Sequence, residues 1–343
     1  MGRRVAVALS GGGDSALAAQ MLREAGHDVF ALHAIFTPSA DTAAQVDAAQ
    51  SVARHLDLDL HTIDLSEQFT SAVIEPFCTA YASGRTPNPC VLCNASIKFG
   101  ALLRIALDSG ADLLATGHYA RVVTDENGTR LLRALDRRAD QSYFLYRVRS
   151  CTLSLTLMPL GEMSRTEVHS RVRTGGLPVG RPSKDLCFVH DHTYHRFVAS
   201  RSSSSPGEIV DNTGRVLGRH KGLAFYTVGQ RHGLDLALGY PAYVTRLVPE
   251  ANRIVVGPEN ELYAGSAAVT DLSWVSGVSP GDIFRAGVQV RYRAKTVPAD
   301  IKVQGRSAHV AFAQPQKAVA PGQSLVVYNG ETVLGGGILQ AAY

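Results

Sequence analysis

The first third of the chain alternates short apolar runs with helical segments, and this alternation is the strongest constraint on its fold. Predicted strands cover 5–9, 29–35, 60–65 and 113–116, and predicted helices cover 14–25 and 42–56. Strands that are separated by helices pair in parallel, with helices on both faces of the sheet. We therefore predict an α/β fold that begins with a doubly wound parallel sheet. Its ligand site should lie at the carboxyl ends of the strands.

The pattern changes after about residue 200. The segment Arg201-Ser202-Ser203-Ser204-Ser205-Pro206-Gly207 is a flexible break by composition. Beyond it, short β-like runs occur at 242–247, 253–256, 287–292, 309–312 and 324–328. Strands at this spacing favour a small barrel or sandwich, and we take the chain to end in a β-barrel. The predicted domains are 1–200, 201–265 and 266–343.

Composition narrows the class of protein but not its activity. The 343 residues are 45% apolar and 19% charged, as in globular proteins, and carry a net charge of +4. That charge is compatible with a polyanionic partner and decides nothing alone. The N-terminal apolar run is too short for a signal peptide. We expect a cytoplasmic protein with no membrane partner. Five cysteines, an odd number, argue against a structural disulfide framework.

The loop between the first strand and the first helix reads Ser10-Gly11-Gly12-Gly13-Asp14-Ser15. Glycines let a backbone approach an anion closely, and the following helix directs N–H groups toward it. The two serine hydroxyls can add donors, and Asp14 could hold Mg²⁺. A Walker A loop would end in Gly-Lys-Ser/Thr, which is absent here. The alternative is an ordinary glycine turn, which the strand–loop–helix context makes less favoured.

Three of the cysteines stand in distinctive surroundings. Cys90 and Cys93 form a Cys-x-x-Cys pair after two prolines, and Cys187 lies far downstream. Buried apolar packing is one interpretation, and we adopt it for Cys78 and Cys151. A zinc site normally needs four ligands, which this set does not supply. Redox or sulfur-transfer chemistry is the third interpretation, and it requires Cys187 to fold back on Cys93.

These motifs resemble those of two known classes of enzyme, one through the glycine-rich loop and one over nearly the whole chain. The hexamer is similar to the pyrophosphatase-type loop of ATP-dependent adenylating enzymes, with Gly13 where valine is usual. Over nearly the whole chain, the sequence resembles the tRNA-specific 2-thiouridylases. The motifs that carry this resemblance are 10–15, 86–99, 117–120, 140–145, 176–178, the Cys187 segment, 226–234, 318–323 and 334–338. The stretch between Pro178 and Cys187 is shorter and less charged than is usual in that family.

The resemblance implies a role for each set of site residues. ATP would be bound by Ala8, Leu9, Ser10, Gly11, Gly12, Gly13, Asp14, Ser15, the Ala34 backbone and Gly117. The target base would face Asn88, Pro89 and Cys90. The tRNA would be contacted by His118, Asp140, Gln141, Arg291, Tyr292 and Gln323, so that one tRNA bridges the domains.

The resemblance also implies a reaction. ATP and Mg²⁺ adenylate the wobble uridine, sulfur carried as a persulfide on Cys187 replaces the C2 oxygen, and Cys93 completes the transfer and leaves a Cys93–Cys187 disulfide. A sulfur-donor protein, a persulfide relay or a cysteine desulfurase, would supply the sulfur. Alternatively, Cys90, Cys93 and Cys187 would hold a [4Fe–4S] cluster that carries sulfide. A small-molecule adenylating ligase and a tRNA-binding protein without catalysis are the rival functions.

Overall fold

A computed structural model describes residues 2–38, 41–180, 186–189, 194–201 and 205–343. The strands are β1 Arg4–Ala8, β2 Asp28–Ile35, β3 Leu60–Asp64, β4 Leu113–Ala115, β5 Ala120–Asp125, β6 Gly128–Arg133, β7 Thr156–Leu157, β8 Gly207–Val210, β9 Val216–His220, β10 Tyr243–Val248, β11 Arg253–Gly257, β12 Tyr263–Trp274, β13 Ile283–Gln289, β14 Val297–Gln304, β15 Ser307–Lys317, β16 Ser324–Asn329 and β17 Thr332–Ala342.

The α-helices are α1 Gly13–Glu24, α2 Thr42–His55, α3 Ser66–Phe69, α4 Glu75–Ala82, α5 Pro89–Leu92, α6 Leu103–Asp108, α7 Ser150–Leu153, α8 Arg165–Thr174 and α9 Tyr194–Ala199. Two segments are π-helical, Thr70–Ile74 and Cys93–Leu102. Short 3₁₀ turns cover Ser142–Phe144, Pro159–Glu162, Leu223–Phe225, Pro249–Ala251 and Glu259–Leu262.

The first domain is built on a five-stranded sheet in the order β3-β2-β1-β4-β7, and every pairing in it is parallel. Alternate side chains of the central strand enter different cores. Ala6 joins the core on one face, whereas Val5 and Val7 join the core on the other. The prediction of a doubly wound parallel sheet is therefore confirmed. The predicted helices and strands begin and end within about two residues of the observed ones, the usual uncertainty at element ends.

A small four-stranded sheet follows, in the order β10-β11-β8-β9. The last six strands then pair antiparallel in the order β12-β15-β14-β13-β16-β17, and β12 also pairs with β17. That last pairing closes the sheet into a six-stranded barrel, so the prediction of a C-terminal β-barrel is confirmed. The barrel interior is apolar, with Val288, Ile301 and Leu339 fully enclosed.

The hairpin β5–β6 was not predicted. It belongs to the first domain by sequence, yet Leu132 of β6 pairs with Thr332 of β17, so the hairpin extends the barrel sheet. Arg133 strengthens this junction, because its guanidinium lies 3.5 Å from the centre of the Tyr328 ring and forms a 3.2 Å ion pair with Asp140. The first domain and the barrel are consequently joined by sheet pairing as well as by side chains.

The helix that carries Cys90 and Cys93 runs from Pro89 to Asp108 and includes the longer π-helical segment. Among the described residues it is the one helix long and apolar enough to cross a membrane. Its Ile97, Phe99 and Leu102 side chains are buried in the core beside the parallel sheet. Packing in that core therefore accounts for its apolar composition.

Candidate active site

The glycine-rich loop is held in shape by its own serines. The Ser10 N–H donates to Ser15 Oγ at 3.1 Å, and Ser15 Oγ donates to the Gly12 carbonyl at 3.0 Å. Gly11 has a φ of +78°, and a Cβ there would lie 2.9 Å from the Cβ of Ala48. Glycine is thus required at this turn for both backbone and steric reasons. The result is a preformed cradle at the N-terminus of α1, a suitable place for a phosphate.

The remaining predicted nucleotide residues lie at the same edge of the sheet. Ala8 ends β1, Ala34 is one residue before the end of β2, and Gly117 follows β4. A Cβ on Gly117 would lie 2.8 Å from the carbonyl carbon of Asp14 and 2.9 Å from the Ser15 nitrogen. The backbone after β4 therefore packs directly on the first turn of α1. This arrangement brings the two predicted ATP-binding motifs together.

Tyr119 links these two motifs through a side chain that the sequence analysis did not single out. Its hydroxyl donates to Asp14 Oδ1 at 2.9 Å, and its backbone N–H donates to Gln141 Oε1 at 3.0 Å. Burial and the neighbouring Asp14 carboxylate raise the pKa of Tyr119, which keeps the hydroxyl protonated as a donor. Its position inside the motif 116–120 was the available signal. Gln141, predicted to contact tRNA, is here a partner of the nucleotide motif.

The segment that follows Pro178 approaches the loop as well. The Gly180 N–H donates to the Gly11 carbonyl at 2.9 Å. The rest of the shortened stretch, 181–185, lies outside the described residues. Gly13 faces Val172 of α8, which a Cβ at position 13 would meet at 3.3 Å. The glycine that replaces the usual valine is thus covered by a side chain from a neighbouring helix.

The cysteines form the second part of the site. Cys90 and Cys93 are three residues apart on one helix and so share a face. Cys187 is exposed as a residue, yet protein atoms desolvate its sulfur and, with Cys93 and Cys90, raise its pKa to about 12. Lys98 opposes that rise. Cys187 therefore returns to the electrostatic neighbourhood of the Cys-x-x-Cys pair, as the sulfur-transfer interpretation requires.

Phe188, next to Cys187, anchors this return. Its ring packs against Phe77 and Phe69, with centroids 5.2 and 5.7 Å apart. All five cysteines are described, and all are free thiols, so the Cys93–Cys187 disulfide is not formed. Cys78 is buried, whereas Cys151 is exposed, so apolar burial describes only the first of these two.

Lys98 is a functional candidate that lies within the motif 86–99 and had no predicted role. It acts on four titratable groups, lowering the pKa values of Cys90, Cys93 and Cys187 against the larger effect of burial. The fourth is His118, whose pKa is held well below its ordinary value by burial and by Lys98. His118 is consequently neutral. Its Nδ1 lies 2.8 Å from Thr116 Oγ1, and its ring contacts Phe99.

Besides Gln141, two more predicted tRNA residues, Asp140 and Gln323, have side chains that are bonded within the protein. The Asp140 carboxylate is 7% exposed. It accepts hydrogen bonds from the backbone N–H groups of Ala134 and Ser142 and pairs with Arg133. Gln323 is bonded to Asn88, the residue predicted to face the base, at 3.2 Å. Arg291 is exposed, although its Nη1 donates to the Lys317 carbonyl at 2.7 Å, and Tyr292 is partly exposed with its ring 4.5 Å from that of Phe144.

Three family profiles match the chain in succession. They describe a tRNA methyl transferase HUP domain at residues 3–191, a tRNA methyl transferase PRC-barrel domain at 195–258 and an aminomethyltransferase beta-barrel domain at 265–339. A curated relative from Desulforudis audaxviator is 44% identical over 344 residues, covering 98% of each chain, and is named tRNA-specific 2-thiouridylase MnmA. The chain belongs to the tRNA-specific 2-thiouridylase family. A relative from Dehalococcoides mccartyi with the same name is 40% identical and covers 98% of this chain and 96% of its own.

Among solved structures, this thiouridylase-family chain is similar to the U34-tRNA thiolase NcsA from Methanococcus maripaludis with its [4Fe-4S] cluster. The TM-score is 0.38 and the identity 17%, covering 58% of this chain and 64% of that one.

Proposed function

We propose that the protein is an ATP-dependent tRNA 2-thiouridylase of the cytoplasm that replaces the C2 oxygen of the wobble uridine with sulfur. Residues 1–200 would bind ATP and carry out catalysis, and 201–265 with 266–343 would hold the tRNA. The observation that carries the proposal is the return of Cys187 to the neighbourhood of Cys90 and Cys93. A ligase for a small molecule has no use for this set of thiols.

The first step is adenylation of the base. The uridine O2 attacks the α-phosphorus of ATP, a new P–O bond forms, and the bond to the β-phosphate breaks with release of pyrophosphate; the N3 proton is lost to solvent. The loop N–H groups at 10–15 stabilise the phosphates. Asp14, oriented by Tyr119, would hold a Mg²⁺ ion, which would supply charge neutralisation for the leaving pyrophosphate.

The second step transfers sulfur. The terminal sulfur of a Cys187 persulfide attacks C2 and AMP leaves, which gives a disulfide between Cys187 and the base sulfur. The Cys93 thiolate then attacks the Cys187 sulfur, so that the 2-thiouridine departs and a Cys93–Cys187 disulfide remains. A thiol reductant restores both cysteines, and a sulfur-donor protein reloads Cys187. Lys98 supplies the positive charge that favours each thiolate in these desolvated surroundings.

The wobble base must leave the anticodon stack to reach Asn88, Pro89 and Cys90, as in other enzymes that act on bases. Arg291 and Tyr292 offer a charged group and an aromatic ring on the barrel, a combination suited to RNA phosphates and unstacked bases. Neutral His118 would form a hydrogen bond with the tRNA close to the target base. Asp140 supports the tRNA site indirectly, because its carboxylate shapes the backbone from Ala134 to Ser142.

The iron–sulfur alternative is not favoured by the donor set. Within the described ranges, no group of three or more His, Cys, Asp or Glu side chains is arranged to hold a metal ion. Cys90, Cys93 and Cys187 are near one another without forming such a set. We therefore assign sulfur to Cys187 and no step to a cluster.

Single serine variants test this assignment. We expect Cys93→Ser and Cys187→Ser to abolish multiple-turnover thiolation of tRNA while tRNA-dependent pyrophosphate release continues. Cys151→Ser, at an exposed thiol of α7 with no proposed role, is the matched control and should keep full activity. Iron analysis of anaerobically purified protein should find none. About four irons per chain, lost on Cys90→Ala, would instead establish the cluster route.

A further inference from the structure

The loop that leads into the cysteine helix, residues 83–88, is held by both C-terminal domains. It connects α4 to α5, so its position sets where Cys90 and Cys93 lie. Here the described contacts of its last three residues are made largely with the barrel and the central domain.

Asn88 is fixed by two donors. Its Oδ1 accepts from the Ser324 backbone N–H at 2.7 Å and from the Tyr143 hydroxyl at 3.4 Å. A backbone N–H can only donate, so the amide oxygen and nitrogen of Asn88 are assigned without ambiguity. The single hydroxyl hydrogen of Tyr143 is shared between Asn88 and the Ser324 carbonyl, which lies closer at 2.7 Å. The side chain of Asn88 is therefore oriented by the start of β16.

Gln323 completes the arrangement from the barrel side. Its Oε1 accepts from Asn88 Nδ2 at 3.2 Å, and its Nε2 donates to the Thr86 carbonyl at 2.9 Å. Both ends of the amide are thus used to hold the loop. One amide hydrogen and one lone pair of the oxygen are left for other partners.

The backbones approach each other as closely as the side chains. The Thr86 N–H donates to the Pro321 carbonyl at 2.8 Å. Gly322 has a φ of +92°, and a Cβ there would lie 2.7 Å from the Thr86 nitrogen. Only glycine allows this contact. The barrel segment 320–324 and the loop therefore pack as one unit.

The central domain contributes the third set of contacts. Thr86 Oγ1 donates to Thr227 Oγ1 at 3.2 Å. Gly84, with a φ of +67°, lies against Pro249, whose Cγ would be 2.9 Å from an added Cβ. All three domains consequently meet on residues 84–88.

We propose that Gln323 is a positioning residue, which links the barrel to Asn88 and Thr86 and so sets the place of Cys90 and Cys93 relative to the bound base. The inference rests on the proposed function only in naming the reaction that benefits. In physical terms, a tRNA that is bound across the barrel and the central domain stabilises the loop 83–88 in its reactive position. Gln323 then acts on the rate of sulfur transfer and not on tRNA affinity.

The test compares Gln323→Met, which keeps the length and loses both hydrogen bonds, with Gln304→Met on an exposed barrel strand. In Gln323→Met we expect the single-turnover thiolation rate at saturating tRNA to fall roughly 10-fold, with the tRNA Kd within about 2-fold of wild type. Thr227→Val should lower the same rate by a smaller factor. Gln304→Met should change neither quantity. A Kd raised about 10-fold with an unchanged rate would overturn the proposal and make Gln323 a tRNA contact.

A second readout does not depend on the thiolation reaction. Released from Gln323, the loop should expose Cys90 and Cys93, and their alkylation without substrates should accelerate several-fold, while the far-UV circular dichroism stays that of wild type. Unchanged alkylation in Gln323→Met would contradict a positioning role even if activity fell. Accelerated alkylation in a protein that proves unable to thiolate tRNA would retain the positioning role and reject the proposed function.

Discussion

The hydroxyl of Tyr119 donates a 2.9 Å hydrogen bond to Oδ1 of Asp14 and thereby ties the loop after β4 to the first turn of α1. Gly117 makes this possible by letting the two backbones touch. One oxygen of Asp14 is directed by the tyrosine, which leaves the other for a ligand. The carboxylate is thus held at the mouth of the glycine-rich loop by a group from the loop between β4 and β5.

Removing this hydroxyl should weaken the use of ATP. Tyr119→Phe keeps the buried ring and loses one hydrogen bond to a charged group, so we expect the KM for ATP to rise about 10-fold. The measurement is tRNA-dependent pyrophosphate release as a function of ATP concentration. Tyr240→Phe, at an exposed tyrosine of the central domain, should behave as wild type. An unchanged ATP dependence in Tyr119→Phe would show that the Tyr119 hydroxyl does not orient Asp14 for the use of ATP.

A methyl group at Gly117 should impair ATP binding more than the loss of the Tyr119 hydroxyl does. The added Cβ would be 2.8 Å from Asp14 and 2.9 Å from Ser15, both backbone atoms that cannot yield easily. We expect Gly117→Ala to lose about 1–3 kcal/mol in free energy of unfolding and most ATP binding. Gly265→Ala is the control, since its nearest neighbour is 3.9 Å away. Calorimetric titration with ATP measures the affinity. Wild-type affinity in Gly117→Ala would show that the close contact of Gly117 with Asp14 and Ser15 is not needed for ATP binding.

Cys187 should be unreactive in the free enzyme despite its exposure. Because its pKa is raised to about 12, the thiol stays protonated at neutral pH, and alkylation should accelerate continuously from about pH 7 to pH 10 without a plateau. Mass spectrometry of iodoacetamide-treated protein can follow Cys187 with Cys151 as an exposed internal reference. A plateau at or below pH 9 would show that the desolvation is absent.

Burial of neutral His118 predicts a pH dependence of stability. Its pKa is depressed in the folded protein, whereas the unfolded chain titrates near 6.5. Below pH 6.5 the unfolded state therefore binds more protons, and stability is lost as the pH falls. The difference in slope between wild type and His118→Gln should approach about 1.4 kcal/mol per pH unit. Urea unfolding at several pH values measures it, and parallel curves would argue for a charged or exposed His118.

Sequence reasoning was most successful where local patterns determine structure. The run 5–9 is followed by a glycine loop and a helix, and β1 and α1 form there as a consequence of apolar burial and helix periodicity. The pairing of the β5–β6 hairpin with β17 could not be predicted, because its partner strand lies at the far end of the chain. Pairing between such distant segments is determined by tertiary packing.

In the candidate site, too, features encoded in consecutive residues were predictable, whereas those that depend on tertiary contacts were not. The strand–loop–helix setting of Ser10 to Ser15 was predictable, since it is encoded in consecutive residues, and its role in phosphate binding stays a prediction. The roles of Tyr119 and Lys98 depend on which side chains face them across the fold, and no spacing encodes that. Asp140 illustrates the converse. A charged residue in a motif suggests a ligand contact, yet its carboxylate is occupied by Arg133 and two backbone N–H groups.

Nucleoside mass spectrometry of tRNA incubated with the purified protein, ATP, Mg²⁺ and a persulfide source tests the proposed thiolation itself. We expect sulfur to replace oxygen at C2 of the wobble uridine, and pyrophosphate to appear only when tRNA is present. Pyrophosphate release without tRNA, or tRNA recovered with no 2-thiouridine while a small molecule is adenylated, would contradict it.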